Sequence, residues 1–314
     1  MTNDECRITK EFVPVKLIQI AAPDFDLEKT LNSGQVFHWQ KIDGGFCGTI
    51  GNVAVYLEQR GDDLEGGASA TPDSQELVPS LAELVAHYFA LDHSLAQICA
   101  SFPDDKLMNT AREFCRGLRI IRQPKWECLA TFICSPMKQV AHIRQISRKL
   151  RERFGEALEV CDQRVYTFPP AERVAQSSEK QLRECRLGYR AKNLLATARL
   201  VASGDIDLEK MATLSDADLR AALCALPGVG PKVANCVMLF AYERLGAFPI
   251  DVWIERVLRE KYFARRRKVT TKRLRDFSAS YFGAHGGYAQ QYLFHHARMT
   301  GRRRGKGQAG AICA

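Results

Sequence analysis

The chain has 314 residues, 46% hydrophobic and 26% charged, with 22 Gly and 12 Pro. These are ordinary globular proportions and exclude collagen, fibrous repeats and wholesale disorder. No uninterrupted apolar run approaches the roughly 20 residues that span a bilayer, and the length suits two domains with a sizeable core. The net charge of +9 hides a polarity: residues 1–110 hold 7 Lys/Arg and 17 Asp/Glu, a balance of −10, which leaves +19 for residues 111–314. A field of that sign concentrates polyanions, of which nucleic acid is the commonest. Ribosomal, membrane-surface or heparin-type binding fits the charge equally well.

The Cys count is 11, an odd number. There is no signal-peptide pattern at residues 1–11, and several cysteines lie in apolar helical segments such as Glu127–Ser135. A reduced intracellular compartment is expected, with most cysteines acting as small core hydrophobes. That compartment would be the cytoplasm and nucleoid of a bacterium or the nucleus of a eukaryote. No CxxC occurs and Cys313 stands alone after Cys236, so neither a zinc site nor an iron–sulfur cluster is expected.

In chain order, Gln35–Gln59 is rich in aromatic and β-branched residues. Asp43-Gly44 and Gly51-Asn52 fall between its apolar stretches, which predicts a short antiparallel meander. Residues 61–80, centred on EGGASATPDS, read as a polar loop. From Leu81 the periodicity turns helical. Val140, Ile143, Ile146, Leu150 and Phe154 form a stripe that stops at Gly155, and Ala191, Leu194, Leu195, Ala198 and Val201 form another that stops near Gly204. Ser215 opens a further helix, with Asp218 at capping-box spacing and Leu219, Ala222 and Leu223 as its buried face. The expectation is an α+β protein: an antiparallel β-sheet/helix domain over residues 1–112, packed on an almost wholly helical domain over 113–300. A basic flexible tail, beginning GRRRGKGQAG, is expected over 301–314.

The most specific stretch runs from Leu223 to Asp251, LCALPGVGPKVANCVMLFAYERLGAFPID. A helix is expected to end at Leu226, the turn Pro227-Gly228-Val229-Gly230 follows, and Pro231 restarts a helix at its favoured first position. Val233, Cys236, Val237, Phe240 and Ala241 lie on one face of that second helix. This is a helix-hairpin-helix over residues 223–245. Its glycines let a phosphate approach closely, and free amides around Gly228, Val229, Gly230 and Lys232 can bind it. The main-chain carbonyls of Cys224, Leu226 and Val229 offer a site for a structural monovalent cation, the one cofactor expected. By itself such a hairpin signals sequence-independent DNA binding, with a plain tight turn between helices as the bland alternative.

Two residues add chemistry. Lys232 is at the second helical position, where the positive end of the macrodipole disfavours the ammonium form, and a neutral amine is a nucleophile toward a sugar C1′. Asp251 directly precedes a predicted helix, Val252–Arg259. It reads as an N-cap and equally as a carboxylate that stabilises an oxocarbenium-like sugar; the two roles are compatible.

LPGVGPKVANC followed by PIDV resembles the helix-hairpin-helix superfamily of DNA glycosylases with the Lys/Asp pair. More narrowly, the chain resembles the eukaryotic-type branch of the 8-oxoguanine DNA glycosylases. The likeness runs from about Leu27 to Ala297, through LNSGQVFHWQ (Leu31–Gln40), HYFALDHSLAQI (His87–Ile98), RIIRQPKWECLATFICS (Arg119–Ser135), LGYRAK (Leu187–Lys192) and GYAQQYLF (Gly287–Phe294). The endonuclease III branch fits less well, lacking its cluster-ligating cysteines here. The resemblance implies a bifunctional glycosylase and abasic-site lyase acting on damaged double-stranded DNA as a monomer, with no membrane association. Lys232 would attack C1′ and form a Schiff base, and Asp251 would stabilise the transition state. The Gly34 carbonyl would accept a hydrogen bond from N7–H, which guanine lacks. Phe294 and Cys236 would sandwich the extruded base in a pocket that includes Pro249, Gln290 would read its Watson–Crick edge, Tyr189 would wedge into the stack, and Arg190 would contact the orphaned partner base.

The departures concern the opposite strand. Where the family's best-known members have an Asn that fills the vacated space and an Arg that recognises the opposite cytosine, this chain has Met137 and His142. Neither forms the same paired hydrogen bonds, so weaker discrimination for cytosine is expected. Trp253 and Ala297 stand where the pattern has a His and an Asp, a polar pair replaced by an apolar one. The clusters Arg265–Lys268, Lys272/Arg273/Arg275 and Arg302–Lys306 suit either a DNA backbone or a solvated surface. The rival readings are a glycosylase for another lesion, such as an alkylated purine, and a non-catalytic helix-hairpin-helix DNA-binding protein.

Overall fold

The computed structural model describes residues 17–70, 80–264 and 269–308. Five antiparallel strands form one sheet in the order β1-β5-β4-β3-β2: β1 (Ile18–Ala21), β2 (Gln40–Ile42), β3 (Gly45–Ile50), β4 (Val53–Arg60) and β5 (Asp63–Ala70). The turns at Asp43-Gly44 and Gly51-Asn52 fall where expected and set the register Lys41↔Phe46 and Ile50↔Val53. The loop expected over 61–80 is corrected in its first half. Asp63–Ala70 is β5, paired with β4 from Val53↔Ala70 to Arg60↔Asp63 and with β1 on its other edge. Its DLEGGASA composition hides a strand because small residues suit a position pressed from above: a Cβ on Gly66 would come within 2.8 Å of Leu57. Residues 71–79 lie outside the described residues.

Period-two alternation divides the sheet between two cores. Phe46, Ile50, Val53, Val55 and Leu57 face a cluster with Phe25, Leu27, Trp39, Tyr88 and Phe89. These come from the loops and from α1 (Leu27–Asn32) and α2 (Leu81–Tyr88). Cys47 and Ala54 face the other way, against Leu158, Val160 and Val165. Those three belong to a hairpin, β6 (Ala157–Val160) and β7 (Gln163–Tyr166). The expectation of an almost wholly helical second domain therefore missed a hairpin whose burial is supplied by a sheet over a hundred positions away in sequence.

The helical portion comprises α3 (Leu95–Ala100), α4 (Lys106–Phe114), α5 (Lys125–Ile133), α6 (Val140–Phe154), α7 (Ala171–Ala175), α8 (Glu179–Glu184), α9 (Arg190–Ala202), α10 (Asp216–Cys224), α11 (Pro231–Ala241), α12 (Val252–Val257), α13 (Thr271–Phe282) and α14 (Gly286–Gln308). A π-helical turn, Leu258–Tyr262, continues from α12. Ser215 caps α10 by accepting the Asp218 N–H, as the sequence predicts. One apolar core joins these helices and includes Leu95, Ile98, Phe102, Met108 and Ala111. The boundary expected at 112/113 thus does not separate two cores, because α3 and α4 pack with α14 and the helical side. The α14 backbone runs to Gln308, through the first half of the expected tail; residues 309–314, Cys6, Cys313 and the Arg265–Lys268 cluster lie outside the described residues. Of the nine described cysteines six are buried, in line with their reading as core residues. Among the described residues no helix is long and apolar enough to cross a membrane.

Candidate active site

The helix-hairpin-helix forms as read. α10 ends at Cys224, the chain turns through 225–230, and Pro231 starts α11 after Gly230 as N-cap. Gly228 has φ +83°, a left-handed conformation, and a Cβ there would lie 2.8 Å from Asn193 on α9. The Leu226 carbonyl accepts the Val229 N–H at 3.1 Å, and Thr197 of α9 donates its hydroxyl to the Pro227 carbonyl at 3.0 Å. The turn is therefore braced by α9 on one side, while Gly230 is exposed and has open space around its Cα.

Lys232, one residue into α11, is half-buried. Its Nζ donates to Ser135 Oγ at 3.2 Å and lies 5.2 Å from the centre of the Phe132 ring. Ser135 is itself buried and donates to the Phe132 carbonyl at 2.8 Å, so the end of α5 holds the amine in place. One turn along α11, Cys236 is buried, and burial pushes its thiol up, with Lys232 pulling down and Asp251 pushing up. A neutral thiol thus lies beside the lysine. Asp251 is the N-cap of α12, its Oδ1 accepting the Trp253 N–H at 3.1 Å and the Ile254 N–H at 2.9 Å. Burial raises its carboxyl above the usual Asp value, against those amide hydrogen bonds and the nearby Lys232 charge. The N-cap reading of Asp251 holds: the cap fixes the carboxylate through Oδ1, and the Lys232 charge lies near enough to act on it.

The N-terminal domain meets α14 and α6 at the Gly34 loop. Gly34 has φ +93°, and a Cβ there would lie 3.1 Å from Phe294 and 3.2 Å from Arg298 on α14, and 3.5 Å from Val140 on α6. Only glycine satisfies both constraints. Among the described residues no hydrogen bond is made to the Gly34 carbonyl, whereas the carbonyls on either side are taken by Gln291 on Ser33, at 3.1 Å, and Gln123 on Gln35, at 2.7 Å. Gln290 is 4% exposed, yet its Oε1 has no partner among the described residues. A buried polar atom left unpaired costs about 1–3 kcal/mol. Pro249 is buried in the loop before Asp251, and Phe294 is half-buried beside Gly34.

Residues 17–129 match the model for the 8-oxoguanine DNA glycosylase N-terminal domain, and residues 131–280 match that for the HhH-GPD superfamily base excision DNA repair protein. The chain is 31% identical to N-glycosylase/DNA lyase OGG1 of Arabidopsis thaliana, over 91% of this chain and 80% of that one. The chain belongs to the 8-oxoguanine DNA glycosylase family. It is 33% identical to the N-glycosylase/DNA lyase of Saccharomyces cerevisiae, over 79% of this chain and 71% of that one. Among solved structures, the 8-oxoguanine glycosylase/lyase of Clostridium acetobutylicum, bound to double-stranded DNA with cytosine opposite 8-oxoG, gives a TM-score of 0.82 at 29% identity, covering 92% of this chain and 99% of that one. MBOgg1 with a low-affinity DNA ligand gives 0.83 at 32% identity, covering 91% and 96%.

Met137 is 92% exposed with φ +54°, a strained conformation for a side chain of this size, and Tyr189 is 57% exposed. His142 is exposed on the first turn of α6. Arg190 departs from its expected place. It is 5% exposed, its Nε and Nη2 donate to the Pro136 carbonyl, its Nη1 donates to the Leu187 carbonyl at 3.3 Å, and its guanidinium lies 4.3 Å from the centre of the Tyr189 ring. Here it ties the Met137 turn to the base of Tyr189 instead of projecting toward a base, because two main-chain carbonyls satisfy it more fully than solvent. Trp253 packs toward α14, where a Cβ on Gly301 would lie 3.0 Å from its ring. Lys272, Arg273 and Arg275 are exposed on α13.

Sequence reasoning passed over Phe132, Ser135, Asn193, Gln291 and Arg298. Four of the five read as ordinary helix residues, and Ser135 as a helix end. Only the final signal of FICS, a polar residue closing an apolar helix, pointed to any of them.

Proposed function

We propose that this protein excises 8-oxoguanine from duplex DNA as a bifunctional glycosylase and abasic-site lyase. The observation that carries the reading is the meeting of Lys232 with Cys236 of α11 and the capped Asp251, both of which feel the Lys232 charge; the Gly34 carbonyl of the other domain, to which no described residue donates, would complete the pocket. The hairpin amides near Gly228, Val229 and Gly230 hold a backbone phosphate, and a monovalent cation on the carbonyls of Cys224, Leu226 and Val229 would brace the same turn without entering the chemistry. Lys232 gives its Nζ electron pair to C1′ as the C1′–N9 bond breaks, and that bond's electrons leave with the base. Asp251 offsets the positive charge that develops on the sugar. Loss of a proton from the aminal nitrogen and opening of the sugar ring give a Schiff base, and removal of a C2′ proton then expels the 3′ phosphate.

The pocket favours the oxidised purine because Gly34 offers an acceptor where 8-oxoguanine has N7–H and guanine has a lone pair. Tyr189 and Met137 fill the stack from which the base is taken, and His142 faces the partner strand with fewer donors than an arginine. Discrimination by the opposite base is relaxed accordingly.

Borohydride trapping on duplexes containing 8-oxoguanine, 3-methyladenine or an abasic site tests the reading. A covalent adduct is expected with 8-oxoguanine and abasic duplexes and none with the Lys232→Gln variant. No adduct on any duplex sinks the lyase chemistry, and an adduct on the abasic duplex alone sinks the base assignment.

A further inference from the structure

α14 touches the Gly34 loop with one face, Gln291, Phe294 and Arg298, spaced three and four residues apart as a helical stripe requires. Phe294 is the expected base platform; the two polar neighbours have no assigned part. Arg298 is 7% exposed and Gln291 2%. Arg298 donates through Nη2 to the Asn32 carbonyl, and its guanidinium lies 5.5 Å from the centre of the Phe294 ring. Gln291 donates to the next carbonyl, Ser33, at 3.1 Å. A third contact comes from α6, where Arg144 Nη2 donates to Asn32 Oδ1 at 2.8 Å. The helical side therefore grips the two peptides immediately before Gly34 and leaves Gly34 its carbonyl.

We propose that Arg298 and Gln291 are positioning residues for lesion specificity: by holding the carbonyls of Asn32 and Ser33 they fix the left-handed Gly34 so that its carbonyl meets the purine N7 edge. This rests on Gly34 reading that edge. A buried guanidinium bound to a backbone carbonyl and packed on an aromatic face loses little freedom on forming its hydrogen bonds, which makes it a stiff strut. Lesion and normal base differ at this point by one hydrogen-bond partner, so an error of an ångström in the carbonyl erases the distinction while leaving the rest of the pocket in place.

The experiment measures binding of 8-oxoguanine and guanine duplexes in the Lys232→Gln background, which cannot turn over, with Arg298 intact or replaced by Met or Lys. Lyase activity on a preformed abasic duplex and thermal unfolding are measured with Lys232 present. Arg298→Met is expected to lower the 8-oxoguanine/guanine affinity ratio at least tenfold and abasic cleavage by no more than twofold, with Arg298→Lys, which keeps one donor, in between. An unchanged ratio in both variants overturns the proposal. So does a parallel loss of ratio, abasic cleavage and unfolding temperature in both, which marks a merely structural residue. If Lys232→Gln with Arg298 intact shows no preference for 8-oxoguanine, the underlying reading of Gly34 fails instead.

Discussion

Asp251 caps a helix and is half-buried, two demands on one carboxyl that oppose each other. As an N-cap it satisfies two amides, yet burial lifts its carboxyl above the ordinary value of 3.8. A carboxyl shifted in this direction contributes stability that is complete below its unfolded pKa and lost as pH rises through the raised one. The ionised form, the one the proposed chemistry uses, is therefore held at some expense to the fold. Two outcomes follow. The acid limb of base excision is expected above pH 3.8, at the raised pKa. In Asp251→Asn, excision is expected to drop about 100-fold or more and to lose that limb, while thermal stability changes by less than about 1 kcal/mol, since Asn caps as well as Asp. A limb unchanged in the variant refutes the assignment. The places of Lys232 at the start of α11 and of Asp251 before α12 were legible because a turn and a helix start are local facts. Ser135 and Arg298 were not, since what they touch lies 97 and 266 residues away.

The turn after α5 and the turn before α9 act together. Arg190 joins them by binding Pro136 from beneath Tyr189, which leaves Met137 and Tyr189 exposed, with His142 exposed on the first turn of α6. A bidentate arginine–base pair is worth about 1–3 kcal/mol of discrimination, and His142 forms none. Excision rates opposite cytosine and opposite adenine are expected to lie within about tenfold of each other, and His142→Arg to widen the gap in favour of cytosine by about 5-fold or more. A wild-type preference for cytosine of several orders of magnitude rules this out. The elements misread from sequence, β5 and the β6–β7 hairpin, share a cause. β5 is rich in small residues and the hairpin strands are only four residues each, and each becomes a strand only because another strand or sheet face covers it.

At the seam between the sheet side and the helical side, three charged or titratable groups are buried together. Arg151 of α6 pairs with Glu127 of α5 and donates to Thr49 Oγ1 of β3 at 2.8 Å and to the Tyr166 carbonyl of β7 at 2.9 Å. His38 Nδ1 lies 3.3 Å from Glu127, and burial, then Arg151, holds His38 well below the usual histidine value, so it is neutral. Removing one member leaves an uncompensated charge in the interior, which costs about 3–5 kcal/mol. Glu127→Ala is expected to destabilise by that amount in denaturant titration, and Glu127→Leu/Arg151→Met to recover most of it. Equal losses for the single and double variants argue against a coupled pair.

The sequence by itself determined the helix-hairpin-helix, the meander, the charge polarity and the family, because these rest on residues within a few positions of one another or on a likeness spread along the chain. Tertiary structure decided the rest. It bound the Gly34 loop to α14, turned Arg190 inward, and placed a hairpin of the C-terminal half on the N-terminal sheet. The physical reason is burial: a glycine is a turn and an arginine a surface charge until something packs on them, and here that something lies far along the chain. The −10 charge of residues 1–110 is thus no measure of their distance from the helical side, since they bring the left-handed Gly34 against Phe294 and Arg298 of α14.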